Sequence, residues 1–532
     1  MHPTFLKPPV LLNDHEIAHF IREGYLTLRS VLPQSFHDAV YKELTPLEEN
    51  GRMGHNNLLP CVPRLREVLD EPHIRGALQS LLGPNYYLHF HRHDHVNFPD
   101  AAQPLHKDGD NHSHLSIDGM RRYHPTRYVM LFYYPQDTPV ERGPTGIVPR
   151  SHYTPLNTLE DVRSRWGALT GPLVAEVNRL AQGGASEDER QTFWRERYGK
   201  LKEEHAQLYA QSKALEAPWE ERKIPLAGPA GTVSIVHFDL VHGRFGPNLT
   251  EIPRHMVKFL FSRYREPVTP SWSATSTEWP GSTDDPLNPV HRFQWAWHRG
   301  ERSAFVKAQA GSLAALTNDI DSDDDERALA AAYQLATHGD AGVGILMQRF
   351  MSDSTIAGAR GAWGLSAAGK AAVQALRDAA TDADSFLTAR IADVLGDIGA
   401  DAVEATAELR DWCSHDDANV RLFAVEALGM VTESSGGDAA LASALNDADA
   451  WVRRNAVVSV ARAGAGDADP VPALAANLYH DSHQVRGWAI EALQRVGDAR
   501  ANEIALRYLN TTRWDQNPKS GDPNLRKWPG RG

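Results

Sequence analysis

Apolar positions along this chain change their period near residue 300, and the two stretches predict different architectures. In the first, helical and strand spacings alternate. Ile17, Phe20 and Ile21 recur at helical spacing, with Asn13 placed ahead of them as an N-cap. Residues 24–28 then read as a strand. Helices are predicted over 35–44 and 72–82, the second with Pro72 in its first turn. Further strands are predicted over 86–91, 127–134, 231–242 and 256–262, where β-branched and aromatic residues cluster. The run 231–243 is entered and left at glycine, and 141–153 is rich in turn residues. Between 155 and 225 charge is dense and strand alternation disappears, which predicts a helical insertion between two strands. Excursions of that length are often functional, and the expected role here is a lid over the candidate site described below.

Beyond about residue 310 the chain is alanine-rich and repetitive. Val420-Arg421, Val452-Arg453 and Val485-Arg486 recur 32 and 33 residues apart. Each follows an acidic turn and precedes a helical apolar pattern such as Ala424 to Leu428. Asp382 to Asp384 with Ile391 to Leu395 keeps the same period one unit earlier, and Ala359 to Trp363 marks another. Residues 331–335 read as a degenerate capping unit. A period in the low thirties with two helices per unit predicts a stacked α-solenoid. The expected division is a first domain over 1–305, a linker over 306–326, repeats over 327–510 and a tail over 511–532. The acidic stretch 318–326 lacks the glycine and glutamate that a calcium loop needs at its sixth and twelfth positions, so it reads as a solvated linker and helix start.

At 532 residues the chain is long enough for two or three domains, and 42% hydrophobic residues can supply their cores. A formal charge of −13 argues against partners that are nucleic acids or anionic membranes. Apolar runs are too short for a membrane-spanning helix, and the first residues lack a signal-peptide layout. Cys61 and Cys413 lie far apart, so no disulfide framework is implied. A cytoplasmic protein is expected.

His106-Lys107-Asp108, followed at a distance by His242 and Arg254, carries the candidate chemistry. Two imidazoles and one carboxylate are the ligand set of a non-haem Fe(II) site with open positions. In a strand, residues two apart share a face, so His106 and Asp108 can meet one ion. His242 would complete the set from another strand. Arg254 offers a planar fork suited to the carboxylate of a keto-acid cosubstrate, with Lys258 as a weaker stand-in. A His-x-Asp alone is a common accident; its setting among strand-like segments gives it weight. His93, His95, His112 and His114 surround the motif and are expected to line the cavity rather than ligate. His237 should face away from the ion. Thr145 and Arg127 are further candidates for the border of the cosubstrate pocket.

The first ~300 residues resemble the phytanoyl-CoA dioxygenase family. The resemblance rests on Phe20, Gly24-Tyr25, Leu28 and Leu32, then on His106 and Asp108. It continues through Arg142-Gly143-Pro144 to Pro149-Arg150-Ser151-His152, and from Gly231-Thr232 through His237, Leu240, His242 and Pro247-Asn248 to Arg254. Arg142 and Arg150 replace the usual Asn and Gly, and the step from His242 to Arg254 is about one residue longer than the common pattern. The remainder is similar to HEAT-type repeats.

The resemblance implies a double-stranded β-helix of jelly-roll type, followed by an all-α solenoid. It implies His106, Asp108 and His242 as the catalytic metal ligands, Fe(II) and 2-oxoglutarate as cofactor and cosubstrate, and ascorbate as a candidate reductant. Relatives that halogenate carry a small residue in place of the carboxylate, so Asp108 favours hydroxylation. The expected function is an Fe(II)- and 2-oxoglutarate-dependent dioxygenase acting on a small-molecule or acyl substrate, with the repeats open to a protein partner. The alternative is a non-catalytic scaffold working through the repeats.

Overall fold

The computed structural model describes residues 7–49, 58–96, 103–108, 124–154, 157–306, 311–480 and 483–511. Its strands are β1 (Tyr25–Arg29), β2 (Tyr87–Asp94), β3 (Tyr128–Tyr134), β4 (Thr145–Ile147), β5 (Ile224–Pro225), β6 (Thr232–His237), β7 (His242–Arg244) and β8 (Val257–Ser262). They form two antiparallel sheets, one ordered β1-β6-β3-β8-β2 and a smaller one ordered β5-β4-β7.

β3, β6 and β8 are buried at every position. Their sequences therefore lack the alternation of a half-exposed strand. One face, with Val129, Leu131, Tyr133, Val233, Ile235, Phe259 and Phe261, is covered by α1 (Asp14–Glu23), α2 (Gln34–Glu49), α3 (Leu58–Cys61), α4 (Leu65–Asp70) and α5 (Pro72–Leu82). The other face, with Tyr128, Met130, Phe132 and Tyr134, joins Ile147 of the small sheet in a second core.

Local chemistry sets the helix ends. Asn13 Oδ1 accepts the N–H groups of His15 and Glu16 at 2.9 and 3.1 Å, and Glu16 returns a carboxylate oxygen to the Asn13 N–H at 2.8 Å. α1 ends at Gly24, whose φ of +81° suits glycine and whose absent side chain leaves room for His152 and Leu240.

The excursion between β4 and β5 is helical: α6 (Asn157–Gln182), α7 (Glu187–Tyr198) and α8 (Lys202–Arg222). After β8, α9 (Asn288–His298) buries Trp295 and Trp297. Stacked helix pairs follow to Thr511. The acidic turns recur because their aspartates cap helices: Asp384, Asp417 and Asp449 each accept from an N–H in the first turn. The recurring arginines bind the same turns. Arg421 donates to the carbonyls of His415 and Asp416, Arg453 to those of Asp447 and Ala448, and Arg486 to that of His480. Within 306–326, the expected linker, Leu313–Asp319 is helical, and Leu316 and Ile320 share the solenoid core.

The solenoid is joined to the sheets by side chains from both parts. Tyr87 of β2 stacks on Trp488 with ring centroids 4.2 Å apart. Arg495 lies over Tyr264 and donates to the Asn85 carbonyl. Arg127, just before β3, binds Glu266 through Nε and Nη2 and Asp397 of the solenoid through Nη1 at 2.6 Å. This overturns the expectation that Arg127 borders a cosubstrate pocket: the half-buried Glu266 and the buried Asp397 hold its guanidinium between the domains.

Candidate metal centre

His106 and His242 lie directly opposite one another in an antiparallel bridge. The His106 N–H donates to the His242 carbonyl at 2.8 Å, and the reverse bond measures 2.9 Å. Directly opposed residues present side chains on one face, and here the two ring centroids are 4.4 Å apart. The close approach depends on Gly243, where a Cβ would come within 2.8 Å of the Pro104 carbonyl oxygen.

Each imidazole is fixed in the same way. His106 Nδ1 donates to the Pro104 carbonyl at 2.9 Å and His242 Nδ1 to the Leu240 carbonyl at 3.0 Å. A carbonyl oxygen only accepts, so Nδ1 carries the proton and Nε2 keeps its lone pair for a metal. Asp108 brings Oδ1 to 3.6 Å from His106 Nε2 and Oδ2 to 3.7 Å from His242 Nε2. The three ligand atoms lie within 4.8 Å of one another. That donor set suits one divalent ion, and atoms this close need only a small inward shift to reach bond lengths of about 2.0–2.2 Å.

Burial pushes His242 down to about 3, so it is neutral at ordinary pH. Burial would raise Asp108, but the Lys258 ammonium beside it holds its carboxyl well below the usual range. Lys258 comes from β8, is itself buried, and donates Nζ to Asp108 Oδ2. The side chains of His106 and Asp108 remain 27% and 24% exposed, while that of His242 is 6% exposed, so the centre is open on one side. Phe132 borders it, its ring 5.9 Å from that of His242.

Arg254 is buried at 4% exposure. Its Nε donates to the Gly143 carbonyl and its Nη1 to the His95 carbonyl, each at 3.1 Å. Among the described residues no carboxylate forms an ion pair with it, and burial lowers its pKa. His95 pairs with His93, Nε2 to Nε2 at 2.5 Å, and burial followed by Lys258 and Arg254 pushes it down to about 3. His112 and His114 lie outside the described residues. His237 stacks near His152, at 4.9 Å between centroids, and is not in the ligand cluster. Thr145 is buried on β4 opposite Arg244, its N–H donating to the Tyr134 hydroxyl. The contact of Lys258 with Asp108 was not foreseen, because nothing in the local sequence marks which strand faces the motif.

A family model described as HEAT repeats matches residues 438–516. No curated protein matches the chain. Among solved structures, the non-heme alpha-ketoglutarate-dependent carbocyclase SnoK of nogalamycin biosynthesis is 17% identical, with a TM-score of 0.30 over 49% of this chain and 88% of its own. EctD from S. alaskensis with bound Fe is 15% identical, with a TM-score of 0.32 over 51% of this chain and 83% of its own. Apo HygX from Streptomyces hygroscopicus is 16% identical, with a TM-score of 0.30 over 51% of this chain and 95% of its own. Likeness at this level says nothing of what the chain binds or does. Among the described residues no helix is long and apolar enough to cross a membrane.

Proposed function

We propose that the chain is an Fe(II)- and 2-oxoglutarate-dependent dioxygenase of the phytanoyl-CoA dioxygenase type, hydroxylating a small-molecule or acyl substrate. The observation that carries this reading is the convergence of His106, Asp108 and His242, with both Nε2 lone pairs turned toward the carboxylate. When bound, ferrous iron and the keto acid supply the oxidising chemistry: dioxygen is reduced, the keto acid is decarboxylated to succinate, and substrate is oxidised. His106, Asp108 and His242 would hold the ion.

Arg254 would receive the far carboxylate of the keto acid. It is a buried cation without a carboxylate partner among the described residues, and a charge in that setting gains most from an anionic ligand. Its two bonds to backbone carbonyls hold the guanidinium plane in place before the ligand arrives. Phe132 and the core behind it keep water from that side of the centre. The repeats leave room for a protein partner as part of the same reading.

The test is an anaerobic titration of the metal-free protein with ferrous iron and 2-oxoglutarate. The wild type should develop a visible metal-to-ligand charge-transfer band and, on admitting oxygen, form succinate. His106→Ala and Asp108→Ala should abolish the band. A wild type that binds neither iron nor keto acid would leave the scaffold reading in its place.

A further inference from the structure

The helical insertion touches the body of the protein where the metal ligands are rooted. Leu105 is the residue before His106, and Val241 the residue before His242. Both are buried in a small apolar cluster with Val148 and with Leu159 of α6, against which Leu215 and Trp219 of α8 also pack. Polar contacts concentrate at the same point. Glu216 of α8, 2% exposed, accepts the Leu105 N–H through Oε1 at 3.1 Å. Arg163 of α6 donates Nη1 to the Leu105 carbonyl and Nη2 to Glu216 Oε1 at 3.0 Å. Lys213 donates to Glu216 Oε2 at 2.8 Å.

The strand geometry explains why those groups need partners. Along an antiparallel strand, successive residues direct their N–H and C=O to opposite sides. His106 spends both of its groups on His242, so those of Leu105 point outward, where a further strand would sit. Side chains of the insertion take that place. They satisfy an otherwise unpaired edge and at the same time fix the peptide next to a ligand. By contrast, α7 buries no residue at all.

We infer that the insertion is a positioning device for the metal centre, in which Glu216 and Arg163 clamp the Leu105 peptide and thereby set the place of His106 against His242. This rests on the reading of the triad as a metal site. It is a role distinct from the expected lid: the contacts are made at residues whose neighbours carry the imidazoles. Glu216 and Arg163 are positioning residues and touch neither ion nor substrate.

Co(II) titration of the metal-free full chain, followed by its visible absorbance, tests the inference without turnover. Outer partners of metal ligands typically change affinity about 10–100-fold when removed. Glu216→Ala should therefore weaken Co(II) binding by at least about tenfold and alter the band shape. Glu216→Gln, which keeps an acceptor for the Leu105 N–H, should recover most of the affinity. Glu187→Ala, at the exposed start of α7, should bind as wild type does. Should Glu216→Ala fail to fold, Arg163→Met carries the same expectation, since it releases the Leu105 carbonyl while leaving the Glu216 bond. Wild-type affinity and band shape in the folded clamp variants would overturn the inference alone. A wild type that binds no Co(II) would overturn the metal-site reading and the inference with it.

Discussion

Arg254 and Lys258 are both buried cations close to the candidate centre, yet their surroundings assign them different tasks. Arg254 is braced by backbone carbonyls, while Lys258 is paired with Asp108. In the metal-free protein Lys258 is the counter-ion of that carboxylate, and a metal ion arriving there must share Asp108 with it. Replacing Lys258 by Met removes a nearby positive charge but leaves Asp108 unpaired. The metal-free form should lose on the order of 2 kcal/mol of stability, as for a broken charged hydrogen bond. Divalent-ion affinity should rise and 2-oxoglutarate affinity should fall. Calorimetric titration with Mn(II), then with keto acid, reads both signs; weaker Mn(II) binding would contradict this account of Lys258.

Two short segments build the centre at the scale of elements, and each depends on close approach. β7 carries His242 between β4 and the bridge to His106, and Gly243 lets the 103–106 segment lie against it. A methyl group at 243 would press on backbone, which cannot move aside as a flexible side-chain tip can. Gly243→Ala should therefore push the two imidazoles apart, lowering Co(II) affinity more than it lowers Tm. Equal losses in both would point to general unfolding of the small sheet. The solenoid repeats depend on a different local device, an aspartate cap and an arginine bound to the same turn, which explains why its period was visible in the sequence.

Charge buried between the domains governs the whole molecule. Arg127 is 2% exposed and neutralises both Glu266 and Asp397. Arg127→Met would remove the cation shared by two carboxylates, so a loss of about 3 kcal/mol is expected in denaturant melts. Metal-free stability should also depend on pH with a definite sign. Burial pushes His95, His124 and His242 down to about 3, and His237 and His291 to about 4. The unfolded chain binds protons at these positions near 6.5 and the folded chain does not. Their contribution is therefore full above about pH 6.5 and is lost as pH falls toward 4. Glu433 acts oppositely. Burial raises it to about 7, so it costs stability as pH rises from about 4.5 to 7. Circular dichroism melts from pH 4 to 8 should show wild-type stability declining below 6.5. Glu433→Gln should be relatively more stable at pH 8 than at pH 5; an unchanged difference would show that this carboxylate does not titrate in that window.

The residues determined by sequence alone are those whose signals are local. Asn13 caps the helix placed after it, the aspartates and arginines of the repeats mark each turn, and His106 stands two residues from Asp108, although the segment forms a bridge at 106 and a bend at 108 rather than the expected strand. These depend on neighbours a few positions away, and period and residue type encode them. The pairing of His106 with His242, the use of Arg127 between domains, the hold of Lys258 on Asp108 and the clamp of Glu216 on Leu105 belong to the tertiary structure. Each joins segments more than a hundred residues apart, and only strand register and domain packing decide which of many similar charged side chains meet. The continuous burial of β3 hid its faces for the same reason: with apolar cores on both sides, its residues hold no record of which side faces the metal.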